Sequence, residues 1–253
     1  MSQVQSVERT LSILESLAKF PEGLSVTQLA KEMDLAKSTT HRLLNTLSTK
    51  GYVEKNEHSG HYQLGIQCLV IASSLLNNLD IRKVAKESLQ KLAETSGEVV
   101  HLCVCDSNEA VYIDKVESEH TLRMYSQIGR RAYMHCTGVG KALLSGFTEQ
   151  EVNQLVEEKG LPKFTETTIT EQDKLQKELN TIREKGFAID EQEHESGIRC
   201  IAAPVFDHDG MVVAAISIAG PADRVTKERV NGELAKEIVI QSKTISKKLG
   251  YMK

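Results

Sequence analysis

Ser38, Thr39, His41, Arg42 and Asn45 fall on one side of a helical period whose other side is Thr40, Leu43, Leu44 and Leu47. Hydroxyls, an amide, an imidazole and a guanidinium are groups that bond base edges or phosphates in a DNA groove. A helix meant only for a core would carry leucines there. Lys37 just ahead of this face, and Lys55, His58 and His61 after it, add groups suited to a phosphate backbone. The chemistry expected here is recognition of double-stranded DNA.

A second set of residues could face a small molecule. In Tyr133-Met134-His135-Cys136-Thr137-Gly138-Val139-Gly140-Lys141, glycines lead into a helix whose free N–H groups and dipole favour a carboxylate. The alternative of phosphate binding is weak, because neither G-x-G-x-x-G nor G-x-x-x-x-G-K-[ST] is present. Further on, Asp190 and Cys200 flank a polar loop between two strands and could look into one cavity. Asp190 would accept from a ligand hydroxyl, and Cys200 would supply a small polarizable wall or weak donor. Asp190, His194 and Cys200 could also ligate a metal, but their uneven spacing argues against it, and no cofactor is expected. Cys136 beside His135 suggests a nucleophile and its base, yet strand neighbours point to opposite faces. With no G-x-S-x-G and no H-E-x-x-H, an enzyme is not expected.

The elements that must hold these groups can be read from local signals. Ser25 and Gln28 have capping-box spacing, and Val26, Leu29, Ala30 and Met33 repeat at helical intervals, so a short helix starts there. Asp34 and Leu35 interrupt the period before the reading helix begins near Lys37. Gly51 ends that helix, and residues 52–55 and 61–64 form a hairpin, a wing, around Asn56-Glu57-His58-Ser59-Gly60. A first helix over 7–20, with Val7, Leu11, Leu14, Leu17 and Ala18 on one side, closes the small core, and Pro21 and Gly23 stop it. Seven Lys or Arg balance seven Asp or Glu over residues 1–66, but over 37–61 four basic residues and three histidines face two acidic ones. Modest affinity per copy follows, so tight binding requires more than one copy on a repeated, pseudo-palindromic site.

Residues 66–94 are nearly free of Gly and Pro and read as a linker helix. Its first part, 66–76, carries more apolar surface than one face needs, which implies a dimer. Beyond Gly97 strand alternation appears at 99–105, 110–116 and 122–126. Helices follow at 138–145, 149–158 and 171–185, then strands at 187–190, 200–206 and 211–219, and a terminal helix at 226–249. This is an α+β pattern with an antiparallel sheet and flanking helices. The expected domains are 1–65 for DNA, 66–94 as linker, and an α+β domain able to bind a small molecule over 80–253.

A chain of 253 residues, 40% hydrophobic and 26% charged, has the balance of a soluble globular protein and room for two domains. No stretch approaches a membrane span, and the start lacks an export signal. Five cysteines without paired C-x-x-C spacing fit a reducing, cytoplasmic setting. The net charge of −4 does not itself suggest nucleic acid, so recognition must come from geometry.

The stretches VERTLSILESLA, LAKSTTHRLLNTLSTKGYVEKNEHSGHYQLG, HCTGVGKALLS and DEQEHESGIRCIAAPVFDHDGMVVAAISIAGP, taken in order, resemble the isocitrate lyase regulator (IclR) family over essentially the whole chain. The resemblance implies an N-terminal winged helix-turn-helix, a linker helix and a C-terminal effector-binding domain of GAF/PAS-like fold. It also implies a homodimer or dimer of dimers that represses, or sometimes activates, a catabolic operon. An effector cavity lined from Met124, Ala132, Gly138, Val139, Asp190, Ile198 and Cys200, with Ser217 near it, is implied in the same way. Arg123, Arg130 and Arg131 could add charge to it, so an organic acid or sugar acid is the expected effector. The rival to a regulator is a metabolic enzyme fused to a DNA-binding module. Thr40 stands where relatives often carry an apolar residue, which bears on how the reading helix packs.

Overall fold

The computed structural model describes residues 4–78, 80–118 and 126–252. The chain divides into two compact units, Met1–Leu79 and Asp80–Lys253, so the first half of the expected linker groups with the N-terminal module.

The first unit contains α1 (Gln5–Lys19), α2 (Val26–Glu32), α3 (Lys37–Thr49), the antiparallel pair β1 (Val53–Lys55) and β2 (Tyr62–Leu64), and α4 (Ile66–Asn78). Both arms of the capping box at the start of α2 are made: Gln28 N–H donates to Ser25 Oγ, and Ser25 N–H donates to Gln28 Oε1 at 2.8 Å. The core gathers Ile13, Leu17, Leu24, Leu29, Leu44, Leu47, Val53 and Tyr62. Gly23 has φ +75°, and a Cβ there would lie 2.5 Å from the Tyr62 carbonyl oxygen, so only glycine lets Leu24 bridge to Tyr62.

The stripe expected on α1 needs correction. Leu17 is buried and Leu14 packs against the core, but Val7 and Leu11 are 55% and 53% exposed and Ala18 is also exposed. Ile13 and Ser16 take the inner positions instead. Thr40 is fully buried, and its hydroxyl donates to the Ala36 carbonyl at 3.3 Å, which satisfies the polar atom inside the helix.

The second unit runs α5 (Asp80–Ser96), β3 (Val99–Asp106), β4 (Glu109–Val116), β5 (Arg131–Ala132), α6 (Gly138–Leu144), α7 (Glu149–Lys159), α8 (Gln172–Lys185), β6 (Ala188–Glu191), β7 (Ile198–Phe206), β8 (Val212–Pro221), α9 (Lys227–Asn231) and α10 (Glu233–Lys248). Among the described residues its six strands form one antiparallel sheet in the order β5-β4-β3-β8-β7-β6. One face of the sheet packs α6, with α7 and α8 behind it, in a core that includes Ala142, Leu143, Leu155, Leu179, Ala202 and Ala215. α5 and α10 pack on each other and against β3 and β7.

Two expectations change here. The terminal helix is broken into α9 and α10 at Gly232, whose φ of −118° and ψ of −104° no helix accommodates. The strand expected at 122–126 falls mainly outside the described residues, Ser126 belongs to no strand, and the short β5 at Arg131–Ala132 was not anticipated.

Candidate functional site

α3 is held by Thr40, Leu44 and Leu47 at successive helical turns, so its opposite face is presented by a packed helix rather than by a loop. Lys37, Ser38, His41, Arg42 and Asn45 on that face are exposed and Thr39 is half-buried. No side chain caps the start of α3. Its first-turn N–H groups therefore remain for an outside acceptor such as a phosphate oxygen. In the wing, Asn56 Oδ1 accepts from the N–H groups of His58 and Ser59 at 3.0 and 3.1 Å, which fixes the tip and leaves the His58 side chain exposed. Lys55 Nζ sits 5.8 Å from the centre of the Tyr62 ring, a cation–π contact that orients an exposed ammonium. His61, half-buried like Thr39, has Nδ1 3.3 Å from the Glu22 carbonyl, so its ring turns back toward its own module.

The second unit contains a small cavity, about 440 Å³ of free space with its open mouth included. Directly opposed residues in an antiparallel sheet share a face. One row is therefore Asp190, Cys200 and Ala219, and a neighbouring row brings Ser217 opposite His101. These residues all line the cavity. The start of α6 supplies a facing wall through Thr137, Gly138 and Val139. Thr137 Oγ1 accepts from Gly140 N–H and its carbonyl accepts from Lys141 N–H, leaving the N–H groups of Gly138 and Val139 for an outside acceptor. A Cβ at Gly140 would lie 2.5 Å from Met134 Cα, so this close approach of α6 to the preceding segment needs glycine.

The electrostatics of the cavity are those of buried groups. Burial, and after it the charge of Glu193, raises the Asp190 carboxyl to about 7, although Glu193 N–H donates to its Oδ1 at 2.6 Å. Asp190 is thus poised to hold a proton near neutrality. Burial and then Lys115 lower the His101 imidazole to about 3, so that ring is neutral. Its Nε2 is 2.7 Å from Ser126 Oγ and its Nδ1 3.3 Å from Ser217 Oγ. Cys200 is pushed well above the usual thiol range by burial and then by Asp190, and Cys136 rises to about 12 by burial, Asp190 and Glu193. Both remain thiols, which is the wrong state for a nucleophile. The histidine near Cys136 is not its neighbour in sequence: His135 Nε2 lies 3.1 Å from the Pro162 carbonyl, whereas His194 Nδ1 lies 3.7 Å from Cys136 Sγ.

Behind Asp190 lies a buried ion cluster. Lys141, 1% exposed, places Nζ 2.5 Å from Glu193 Oε1 and 3.3 Å from Glu178 Oε1. Burial alone would lower this lysine, but the two glutamates hold it above its ordinary value. The lysine sits on α6 and Glu193 in the turn after Asp190, so the pair ties two cavity walls together. Thr165 and Thr168 hydroxyls donate to the carbonyls of Gln192 and Glu193 at 2.7 and 2.6 Å and pin the same turn from outside.

Gly138, Val139, Asp190, Ile198, Cys200 and Ser217, all singled out in the sequence, line this one cavity. Ala132 does not: it pairs with Ala110 on the edge strand and is buried in the α6-side core. Met124 and Arg123 lie outside the described residues. Arg131 is not a cavity cation, because it pairs with Asp106 and Glu109 at the sheet edge. Sequence reasoning missed His101 and Tyr112, and treated His194 only as a metal ligand. The pairing of Ser217 with His101 depends on sheet order, which no local pattern encodes. Among the described residues, the group of at least three His, Cys, Asp or Glu whose ligand atoms lie within 4.8 Å of one another is Asp207, His208 and Asp209, in the β7–β8 turn. Asp190, His194 and Cys200 do not converge in that way.

Residues 6–57 match the model of the IclR helix-turn-helix domain, and residues 73–247 match that of the bacterial transcriptional regulator IclR C-terminal domain. Among curated proteins, the chain is 36% identical over 251 residues to the HTH-type transcriptional regulator XynR of Escherichia coli K12, covering 99% of each. It is also 36% identical over 253 residues to the transcriptional repressor IclR of the same organism, covering 99% of this chain and 92% of that one. The crystal structure of Thermotoga maritima IclR superposes with a TM-score of 0.81 at 33% identity, over 98% of this chain and 100% of that one.

Proposed function

The chain belongs to the IclR family of DNA-binding transcriptional regulators, and from that premise we propose that it represses a catabolic operon and is released by a small organic or sugar acid. The observation that carries the effector reading is the cavity around Asp190. A carboxyl that keeps its proton near neutrality donates O–H to an incoming carboxylate, and the N–H groups of Gly138 and Val139 offer further donors. Gly138, Val139, Asp190, Ile198, Cys200 and Ser217 are the proposed effector contacts.

Lys37, Ser38, Thr39, His41, Arg42 and Asn45 are the proposed groove contacts, and Lys55 and His58 the phosphate contacts of the wing. Val7, Leu11, Ile66, Leu69, Val70 and Ile71 are large apolar side chains left exposed in the first unit, which supports a homodimer or a dimer of dimers on a pseudo-palindromic operator. No helix among the described residues is long and apolar enough to cross a membrane, which is in keeping with work in the cytoplasm. The raised thiols of Cys136 and Cys200 support binding without turnover.

Two measurements test this reading. Selection from a random duplex pool should enrich a pseudo-palindrome. A thermal-shift screen of small acids should then yield a compound that releases that duplex. Absence of any enriched sequence would refute the DNA half; hits that stabilise the protein without touching DNA affinity would refute the release.

A further inference from the structure

His194 reaches the effector cavity from the turn after Asp190. Its ring is fixed on two sides. Nδ1 is 3.7 Å from the buried Cys136 Sγ, the ring packs edge-on against Phe164 with centroids 5.1 Å apart, and Phe164 in turn tilts against Tyr133 at 5.0 Å. Phe164 is itself anchored by its N–H, which donates to Thr168 Oγ1 at 3.1 Å. Cys136 is fully buried and remains a thiol, and burial followed by the charge of Arg130 keeps the imidazole neutral. Of the two arrangements open to the pair, S–H donating to Nδ1 is favoured over Nδ1–H donating to sulfur, because the ring nitrogen is the better acceptor. In that arrangement the ring proton sits on Nε2, for which no hydrogen-bond partner is seen among the described residues. The other cavity imidazole is spent, since Ser126 and Ser217 occupy both nitrogens of His101.

We propose that His194 is a specificity-determining residue of the effector cavity, and that Cys136 is its positioning residue, holding the tautomer that offers Nε2–H to an oxygen of the effector. The inference rests on the effector reading above and deepens it. With the carboxylate engaged at Asp190, the oxygen that meets His194 is a second one, so a hydroxy acid is selected over the same acid without its hydroxyl. A fixed donor loses little freedom on binding, which is how a single neutral hydrogen bond becomes a preference of roughly tenfold.

Two arms test it. In protein labelled with 15N-histidine and free of ligand, long-range proton–nitrogen correlation spectra should show His194 as the Nε2–H tautomer in the wild type and in Cys136→Ser, and a tautomer mixture in Cys136→Ala. An Nδ1–H ring in the wild type, or spectra indifferent to Cys136→Ala, overturns the proposal without bearing on whether the cavity binds an effector. In the second arm lactate, propionate, glycerate and gluconate are titrated against the full-length protein. The wild type should prefer lactate to propionate by roughly tenfold. His194→Gln, whose amide N–H reaches the position of Nε2–H, should keep that preference, and His194→Asn, which mimics only the Nδ1 side, should abolish it by weakening lactate while leaving propionate unchanged. Equal loss of both acids in both variants would mean a merely structural role and overturns the proposal. Binding of none of the acids by the wild type overturns the acid-effector reading, and the proposal falls with it.

Discussion

The outer face of α3 and the cavity around Asp190 solve opposite problems. On α3 the functional groups are exposed apart from the half-buried Thr39, none of the reading side chains is tied into an ion pair among the described residues, and their rigidity comes from Thr40, Leu44 and Leu47 on the buried side. In the cavity the functional groups are themselves buried and depend on one another: Asp190 on the Glu193 N–H, Glu193 on Lys141, His101 on Ser126 and Ser217, His194 on Cys136. A reading surface can change its side chains at little cost in stability. A buried polar network cannot, because each member left alone bears its full desolvation penalty.

Substitutions should separate the two regions cleanly. The largest effect is expected for Lys141→Met, which leaves Glu193 buried and unpaired and should destabilise the C-terminal unit by about 3–5 kcal/mol, read as a lowered denaturant midpoint. A midpoint within error of the wild type would mean that the ion cluster holds nothing together. Next comes Arg42→Ala, expected to weaken operator binding by roughly 1–3 kcal/mol if the guanidinium reads a guanine, with no change in unfolding. A drop in thermal stability of the same size would erase the contrast drawn here.

Asp190 gives the third test through pH. Its folded-state value, about 7, stands above the ordinary carboxyl value of about 3.9, so the proton is held more tightly in the folded protein than in the unfolded one. Folded stability from this group is therefore full below about pH 4, is lost as pH rises toward 7, and is constant beyond. Asp190→Asn should gain on the wild type over that window and keep its advantage at pH 8, in melting curves at several pH values. Affinity of an acid effector should also fall by about tenfold for each pH unit above 7, because the anion must then bring a proton with it. A flat affinity profile from pH 6 to 8 would separate Asp190 from the acid. The smallest effect belongs to Lys55→Ala, which should lower affinity for all duplexes alike and reduce the salt slope by about one.

The same contrast explains what could be read in advance. The α2–α3 module rests on signals within a few residues of one another: the Ser25–Gln28 capping box, the helical spacing of Leu44 and Leu47, and the turn around Gly60. Asp190 and Cys200 were also legible, because they belong to adjacent strands joined by one loop and sit opposite each other in register. His101 and the Cys136–His194 pair were not, because strands distant in sequence meet only in the finished sheet and His194 is 58 positions from its thiol. Val7 and Leu11 fit a helical stripe but lie outward, since periodicity cannot say whether a stripe faces its own core or a partner. Arg131 looked like a cavity cation by position, and the strand pairing that sends it to Asp106 is again a tertiary fact.

The two regions are linked only if occupancy of one alters the other, and linkage demands that the coupling act in both directions. The direct test is operator affinity measured with and without a saturating acid identified by the screen, at one pH below 7, for the wild type and Asp190→Ala. The wild type should lose at least about fivefold in operator affinity when the acid is bound, and Asp190→Ala should bind the operator equally well with or without it. Unchanged operator affinity in the acid-saturated wild type would contradict the account.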